Sequence, residues 1–132
     1  MPGIDETLLE AMRLPGARGA SLVDWISGLA LGSVGEAPGG DPEAAAAETA
    51  ELARHTAESG FLAPAGRDAA ADKEAPVEDL IVTTADSYHL VRFVSTPFDS
   101  TVCLHLWLDR DDGNLALARI RLAEMADRLV LG

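Results

Sequence analysis

The segment SGLALGSVGE, residues 27–36, contains three glycines that could cradle a phosphate group. Phosphate-binding loops follow fixed spacings: GxxxxGK[ST] in the Walker-type loop, and GxGxxG between a strand and a helix in the dinucleotide fingerprint. Here the spacing is GxxxGxxG, and the single lysine of the chain, Lys73, lies elsewhere. Because these glycines are spread through an apolar strand pattern, we expect them to serve turn formation and close backbone packing.

Cys103 and His105 lie two residues apart on a predicted strand and therefore share one of its faces. A structural zinc site takes four ligands, and no second pair with suitable spacing stands elsewhere in the sequence. As the single cysteine, Cys103 also has no partner for an intramolecular disulfide. The pattern predicts no metal site, and a half-buried free cysteine that behaves as a small hydrophobic side chain beside a histidine at the edge of the core.

Residues 109–114, DRDDGN, are similar to the start of a calcium-binding loop. An EF-hand loop requires glycine at its sixth position and glutamate at its twelfth. Counted from Asp109, those positions hold Asn114 and Ile120, so calcium binding is not expected. The segment instead predicts the start of a helix, capped by Asp112 or Asn114.

No set of residues in the sequence matches a recognisable catalytic motif. The three histidines, His55, His89 and His105, are not accompanied by a nucleophile elbow of the form GxSxG. Carboxylates are so numerous that their spacing carries no information about acid–base chemistry. We therefore expect a protein that is not an enzyme, with no catalytic residues and no cofactor.

The chain carries a formal net charge of −12 over 132 residues, and the acidity is concentrated in its middle. Residues 37–86 contain eleven Asp and Glu against three basic residues. Nucleic acids and anionic membrane surfaces attract clustered Lys and Arg, so neither is an expected partner. The apolar runs fall short of the roughly 18 residues that a membrane span needs, and no signal-peptide pattern is present. These features predict a cytoplasmic protein.

The apolar periodicity predicts eight elements in the order α-β-β-α-β-β-β-α. Hairpin-linked strands with helices between and after them favour an α+β fold, with one five-stranded antiparallel sheet and helices packed on its faces. The last strand has no polar face, which is typical of a central strand covered on both sides. A single domain is expected over residues 1–132, with a mobile surface loop at 63–76, where no periodic pattern exists. Helices are expected at 4–14, 42–59 and from about residue 113, and strands at 17–25, 29–34, 77–84, 88–95 and 101–109.

The helix predicted at 42–59 has very little bulk on either of its candidate buried faces. Alanine has the highest helix propensity of all residues, which would by itself explain this composition. Alternatively, small side chains would let a second helix approach closely. The two stripes are Ala46, Ala50, Ala53 and Ala57 on one side, and Ala45, Thr49, Leu52 and Thr56 on the next.

Several motifs, taken together, are similar to those of the roadblock/dynein light chain family, in its bacterial branch. The resemblance extends over about residues 4–130 and depends on the order and spacing of the motifs. The motifs are PGARGA at 15–20, the Val23-Asp24…Gly28 hairpin turn, Tyr88-His89-Leu90, and LDR…NLALAR at 108–119.

The resemblance implies a roadblock/profilin-like fold and a homodimer, in which the edges of the two third strands pair and the two second helices pack together. An open sheet exposes its edge strands, and pairing two of them about a twofold axis removes one exposed edge from each copy. The interface residues so indicated are Ala45, Thr49, Leu52, Ala53, Thr56, Ile81 and Thr83.

The resemblance further implies a non-catalytic regulator or adaptor that binds a small Ras-like GTPase in bacterial signalling or polarity control. Where such proteins stimulate GTP hydrolysis, they would reposition the GTPase's own residues. Arg18, Arg110 and Arg119 fall within family-like motifs, but structural ion pairs explain them equally well. The alternative is a small-molecule-sensing α+β domain without a GTPase partner, which requires a sizeable apolar pocket.

Overall fold

The computed structural model describes residues 3–62, 77–94 and 101–129. The α+β fold and the element order are confirmed. In addition, one short 3-10 helix precedes the second helix and another follows it. The loop predicted at 63–76 lies outside the described residues, and the single-domain organisation stays a prediction. The elements are α1 (Ile4–Ala11), β1 (Ala17–Asp24), β2 (Leu29–Gly35), α2 (Pro42–Glu58), β3 (Asp79–Thr83), β4 (Ser87–Val94), β5 (Val102–Asp109) and α3 (Leu115–Arg128).

The five strands form one antiparallel sheet in the order β2-β1-β5-β4-β3. The strand predicted to be central, β5, lies in the middle of this order. Its leucines on one face and Cys103 and His105 on the other are buried, as expected for a strand covered on both sides. Within the described chain, β3 pairs only with β4 and forms one edge of the sheet.

The helices divide between the two faces of the sheet. Leu8 of α1 and Leu122 of α3 belong to one apolar cluster, together with Leu22 and Leu104 of the central strands. On the opposite face, the alanines of α2 pack against β1, β4 and β5 through a smaller cluster. Its buried members are Val23, Ala46, Ala50, Ala53, Val91, Phe93 and Cys103.

Side-chain caps define the starts of the second and third helices. The Asp41 carboxylate accepts hydrogen bonds from the backbone N–H groups of Glu43 and Ala44 at 3.0 and 3.4 Å, and Pro42 occupies the first turn of α2. Of the two candidates for α3, Asn114 is the cap, since its Oδ1 accepts from the Leu117 N–H at 3.0 Å. The calcium-like segment therefore forms a turn and a helix cap.

Two predicted elements end earlier in the structure because local hydrogen bonds close turns. The strand predicted at 17–25 stops at Asp24. The Asp24 carboxylate accepts hydrogen bonds from the N–H groups of Ile26 and Ser27 at 2.9 and 3.3 Å. These bonds close the hairpin turn, so Trp25 lies in the turn and not in the strand. The helix predicted at 4–14 becomes a tight i→i−3 turn after Ala11.

The glycines of residues 27–36 serve backbone geometry, as predicted. Gly28 closes the hairpin turn with φ of 80°, and Gly35 ends β2 with φ of 77°. A Cβ atom on Gly32 would lie 2.8 Å from Ile4 Cγ2, so this glycine lets α1 pack closely on β2.

Candidate interaction surface

Helix α2 covers only part of its face of the sheet. It packs over β1 and β2 and reaches β4 and β5 through its alanines, and a groove of about 180 Å³ remains between one side of the helix and residues of β3, β4 and β5. We call this cavity the α2 groove. Its lining residues are Pro38, Ala45, Glu48, Thr49, Leu52, Val82, His89, Val91 and His105.

The helix wall of the α2 groove consists mainly of small side chains and one exposed leucine. Ala45 and Thr49 are half-buried, whereas Leu52 is 41% exposed. An exposed leucine beside two small residues offers a knob next to a shallow notch, a combination that suits contact with another helix.

The structure places the seven predicted interface residues in three different environments. Ala45, Thr49 and Leu52 line the α2 groove. Ala53 is completely buried against the chain's own sheet, and Thr56 is 8% exposed, with its hydroxyl donating to the Leu52 carbonyl at 2.8 Å. Helix periodicity left two stripes open, and the stripe that contains Ala53 is the one that packs inside the protomer.

The remaining two predicted residues lie on the edge strand. Side chains alternate along β3, so Ile81 and Thr83 lie on the face opposite to Val82, which lines the α2 groove. Ile81 packs against the cluster formed with α1 and α3, and Thr83 is exposed. Strand β3 therefore contributes Val82 to the groove, while its backbone forms the edge of the sheet.

The floor of the groove holds a pair of histidines that the sequence did not reveal. The Nδ1 atom of His89 lies 2.9 Å from Nε2 of His105, and the two ring planes differ by only 3°. Strand alternation indicates which face each histidine occupies, but the contact requires the register of β4 against β5, in which Val91 lies opposite His105. A predicted register for the hairpin of residues 88–109 would have placed the two histidines in contact.

Burial determines the ionisation of both histidines. His105 is 6% exposed, and desolvation, followed by the charge of His89, lowers its pKa to about 4. Desolvation also lowers the pKa of His89, while Asp86 acts in the opposite direction and Arg18 adds to the lowering. At neutral pH both rings are therefore neutral, and one donates a hydrogen bond to the other.

The three arginines of the family-like motifs are all engaged in contacts within the chain. The Arg18 guanidinium lies 3.7 Å from the centre of the Trp107 ring and 3.3 Å from the Glu36 carboxylate. Arg110 donates to the Thr84 carbonyl at 2.9 Å, and Arg119 pairs with Asp79 at 2.8 Å.

Cys103 is fully buried rather than half-buried, because both faces of β5 are covered, and burial raises the pKa of its thiol to about 12. A thiol in this state is a poor nucleophile, because the thiolate is the reactive form. In the described part of the chain, no group of three or more His, Cys, Asp or Glu residues is arranged to hold a metal ion.

Among the described residues, the α2 groove is one of two cavities of about 180 Å³ that a small-molecule sensor would offer to a ligand. Ligand pockets typically enclose roughly 300–1,000 Å³. At about 180 Å³ the groove is smaller than that range, and its walls belong to a helix side and an open sheet face. Across the described residues, the groove thus falls short of the pocket size that the alternative function requires.

Among the helices of the described residues, none has the length and apolar character to cross a bilayer.

No protein-family model matches the chain, and no curated protein sequence matches it. Solved structures do match. MglB of Myxococcus xanthus superposes with a TM-score of 0.72 at 21% identity, over 94% of this chain and 82% of that one. A roadblock/LC7 domain from Streptomyces avermitilis has a TM-score of 0.67 at 20% identity, over 95% and 92% of the chains. The gliding protein MglB from Thermus thermophilus has a TM-score of 0.69 at 21% identity, over 94% and 83%.

The chain has the roadblock/LC7 fold. This finding confirms at the level of fold the resemblance that the motifs indicated. Within this fold the α2 groove and the edge strand β3 lie side by side, because Val82 of β3 lines the groove.

Proposed function

We propose that this protein is a non-catalytic regulator or adaptor that acts as a homodimer and binds a small Ras-like GTPase in bacterial signalling or polarity control. The observation that carries the proposal is the α2 groove next to the edge strand β3, within a roadblock/LC7 fold. The GTPase as partner follows from the family resemblance of the motifs and from the likeness to MglB structures.

Self-association uses the groove and the edge together. Pairing β3 with its twofold mate continues the sheet across the two copies and satisfies the open backbone groups of both edges. The same twofold axis brings α2 of the second copy toward the groove, where Ala45 and Thr49 permit a close approach and Leu52 finds an apolar contact. Ala53 and Thr56 contribute only indirectly, because they are buried within their own protomer.

The protein supplies no arginine finger in this proposal. Arg18, Arg110 and Arg119 are each held by a partner within the chain. Any effect on GTP hydrolysis would therefore come from repositioning the residues of the GTPase itself. The regulator acts through its surface shape rather than through a chemical group.

The test is a binding measurement between the purified protein and the Ras-like GTPase encoded nearest to its gene. The GTPase is loaded with GDP or with a non-hydrolysable GTP analogue, and GTP turnover is measured with and without the protein. We expect binding in at least one nucleotide state; a change in turnover then identifies a regulator, and unchanged turnover identifies an adaptor. Absence of binding in every nucleotide state would exclude this partner.

Arginine variants provide the matched control for the mechanism. Loss of an arginine finger reduces GTP hydrolysis by roughly 10³–10⁵-fold. We expect Arg110→Ala and Arg119→Ala to change any stimulated turnover by less than about tenfold. A larger loss, with binding intact, would show that one of these side chains enters the GTPase site.

A further inference from the structure

The histidine pair occupies the part of the α2 groove where a second copy would dock. His89 and His105 come from neighbouring strands and lie beside Val82 and Val91, which form the apolar part of the floor. His105 is buried already in the protomer, whereas His89 is only half-buried and faces the open groove. A second helix in the groove would remove the remaining water from His89.

The hydrogen bond between the two rings limits the protons that the pair can hold. In the neutral pair, one of the two facing nitrogens carries a proton and donates a hydrogen bond to the other. If both rings are protonated, two N–H groups face each other across 2.9 Å and the hydrogen bond is lost. If one ring is protonated, the hydrogen bond survives, but the positive charge lies against an apolar wall.

The charged groups around the pair come from four other parts of the fold. Arg18 of β1 disfavours protonation of His89, and Asp86 in the turn between β3 and β4 favours it. From α2, Glu48 lines the same groove. Glu36 is directed toward Arg18, with which it forms an ion pair. Burial is the largest of these effects for both histidines, so the pair favours the neutral state.

We propose that docking of a second copy into the α2 groove is coupled to deprotonation of the His89–His105 pair, so that acidification releases the two copies from each other. This inference rests on the homodimer proposed above and adds its regulation. The second copy therefore occupies the groove at neutral pH and leaves it in an acidified environment.

The direction follows from the difference in hydration between the free and the docked groove. Docking desolvates His89 further and lowers its pKa below the value in the free protomer, which already lies below 6.5. When a group has a lower pKa in the associated state than in the free state, protonation weakens association. The affinity is therefore at its full value above the free-state pKa and decreases as the pH falls through that pKa. The loss therefore begins below about pH 6.5.

Carboxylates would produce the opposite trend. Each chain carries a formal charge of −12, so two copies repel each other, and acidification reduces this repulsion as Asp and Glu become protonated near about pH 4. General electrostatics thus predicts tighter association on acidification. The sign of the pH dependence separates the two effects.

The experiment measures the dimer dissociation constant by sedimentation equilibrium at about pH 7.5, 6.5, 5.5 and 5.0, at constant ionic strength. We expect the constant of the wild-type protein to rise by at least about fivefold over this range. His89→Gln and His89→Phe remove the titrating ring, and we expect them to hold the change below about twofold. His55→Gln is the matched control, because His55 is exposed on α2 outside the groove and its loss should leave the wild-type slope.

A calorimetric measurement keeps the inference testable if both His89 variants fail to fold or to associate. Wild-type dimer is diluted at about pH 6 in two buffers of different ionisation enthalpy, which reports the protons taken up on dissociation. We expect net proton uptake. An affinity that is constant or increases on acidification, a His89 variant that retains the wild-type slope, or dissociation without proton uptake would overturn the inference. Absence of a dimer at about pH 7.5 would instead overturn the homodimer on which it rests.

Discussion

At Gly35 the backbone of β2 adopts φ of 77°, and a Cβ atom at this position would lie 2.6 Å from the Arg18 carbonyl oxygen. Both features concern the backbone, which cannot move as readily as a side chain. This glycine of the phosphate-loop-like segment is thus required by the pairing of β2 with β1.

Replacement of Gly35 by alanine should therefore be costly. We expect Gly35→Ala to lower the free energy of unfolding by about 2 kcal/mol or more, because it adds a strained φ to a backbone clash. Urea denaturation measures the loss. Gly60→Ala is the control, since a Cβ there meets nothing within 4 Å, and it should change the stability by less than about 0.5 kcal/mol. Equal losses in the two variants would contradict the assignment of strain to Gly35.

At the scale of elements, α2 combines a well-defined start with an underfilled buried face. Its packing residues Ala46, Ala50 and Ala53 bring the helix close to the sheet but remove little apolar area from water. The helix therefore depends more than usual on its own propensity and on its cap.

The Asp41 cap provides a direct measure of that dependence. We expect Asp41→Ala to reduce the free energy of unfolding by about 1 kcal/mol, because the N–H groups of Glu43 and Ala44 lose their acceptor. Asp41→Asn keeps an acceptor oxygen and should retain most of the stability. The measurement is again urea denaturation, and a loss as large in the asparagine variant as in the alanine variant would argue against capping.

The sequence predicted elements well where one local signal dominated. The missing polar face of 101–109 identified the central strand, and Asp41 with Pro42 identified the start of α2. It could not decide which of the two stripes of α2 is buried, because small side chains dominate both. Nor could it place His89 beside His105, since their contact depends on a strand register that side-chain alternation alone leaves open.

At the scale of the whole molecule, the two faces of the sheet are covered unequally. Among the described elements, two helices cover one face, while α2 covers the other and leaves the groove beside β3. The uncovered region lies next to a sheet edge, which is why we assign self-association to this side of the molecule.

A charge placed in the groove should therefore disrupt the proposed dimer. We expect Leu52→Glu to weaken self-association by at least about tenfold, because docking would bury an unpaired carboxylate. Light scattering at micromolar concentration measures the oligomeric state. Ile120→Glu is the control, since Ile120 is 58% exposed on α3, on the other side of the sheet, and its replacement should leave association unchanged. Unchanged association in Leu52→Glu would exclude the groove as the interface, and an equal loss in Ile120→Glu would show that the effect is not specific to the groove.

The strand order has a consequence for the time course of folding. The hairpins β1–β2, β3–β4 and β4–β5 join neighbours in the chain, but the centre of the sheet is the pairing of β1 with β5, in which Leu22 meets Leu104. Local hairpins form early, whereas this long-range contact must first overcome the entropy of closing a large loop. During synthesis, β1 leaves the ribosome long before β5 exists. The nascent chain must therefore keep Leu22 and its neighbours unpaired on one side until β5 has been translated.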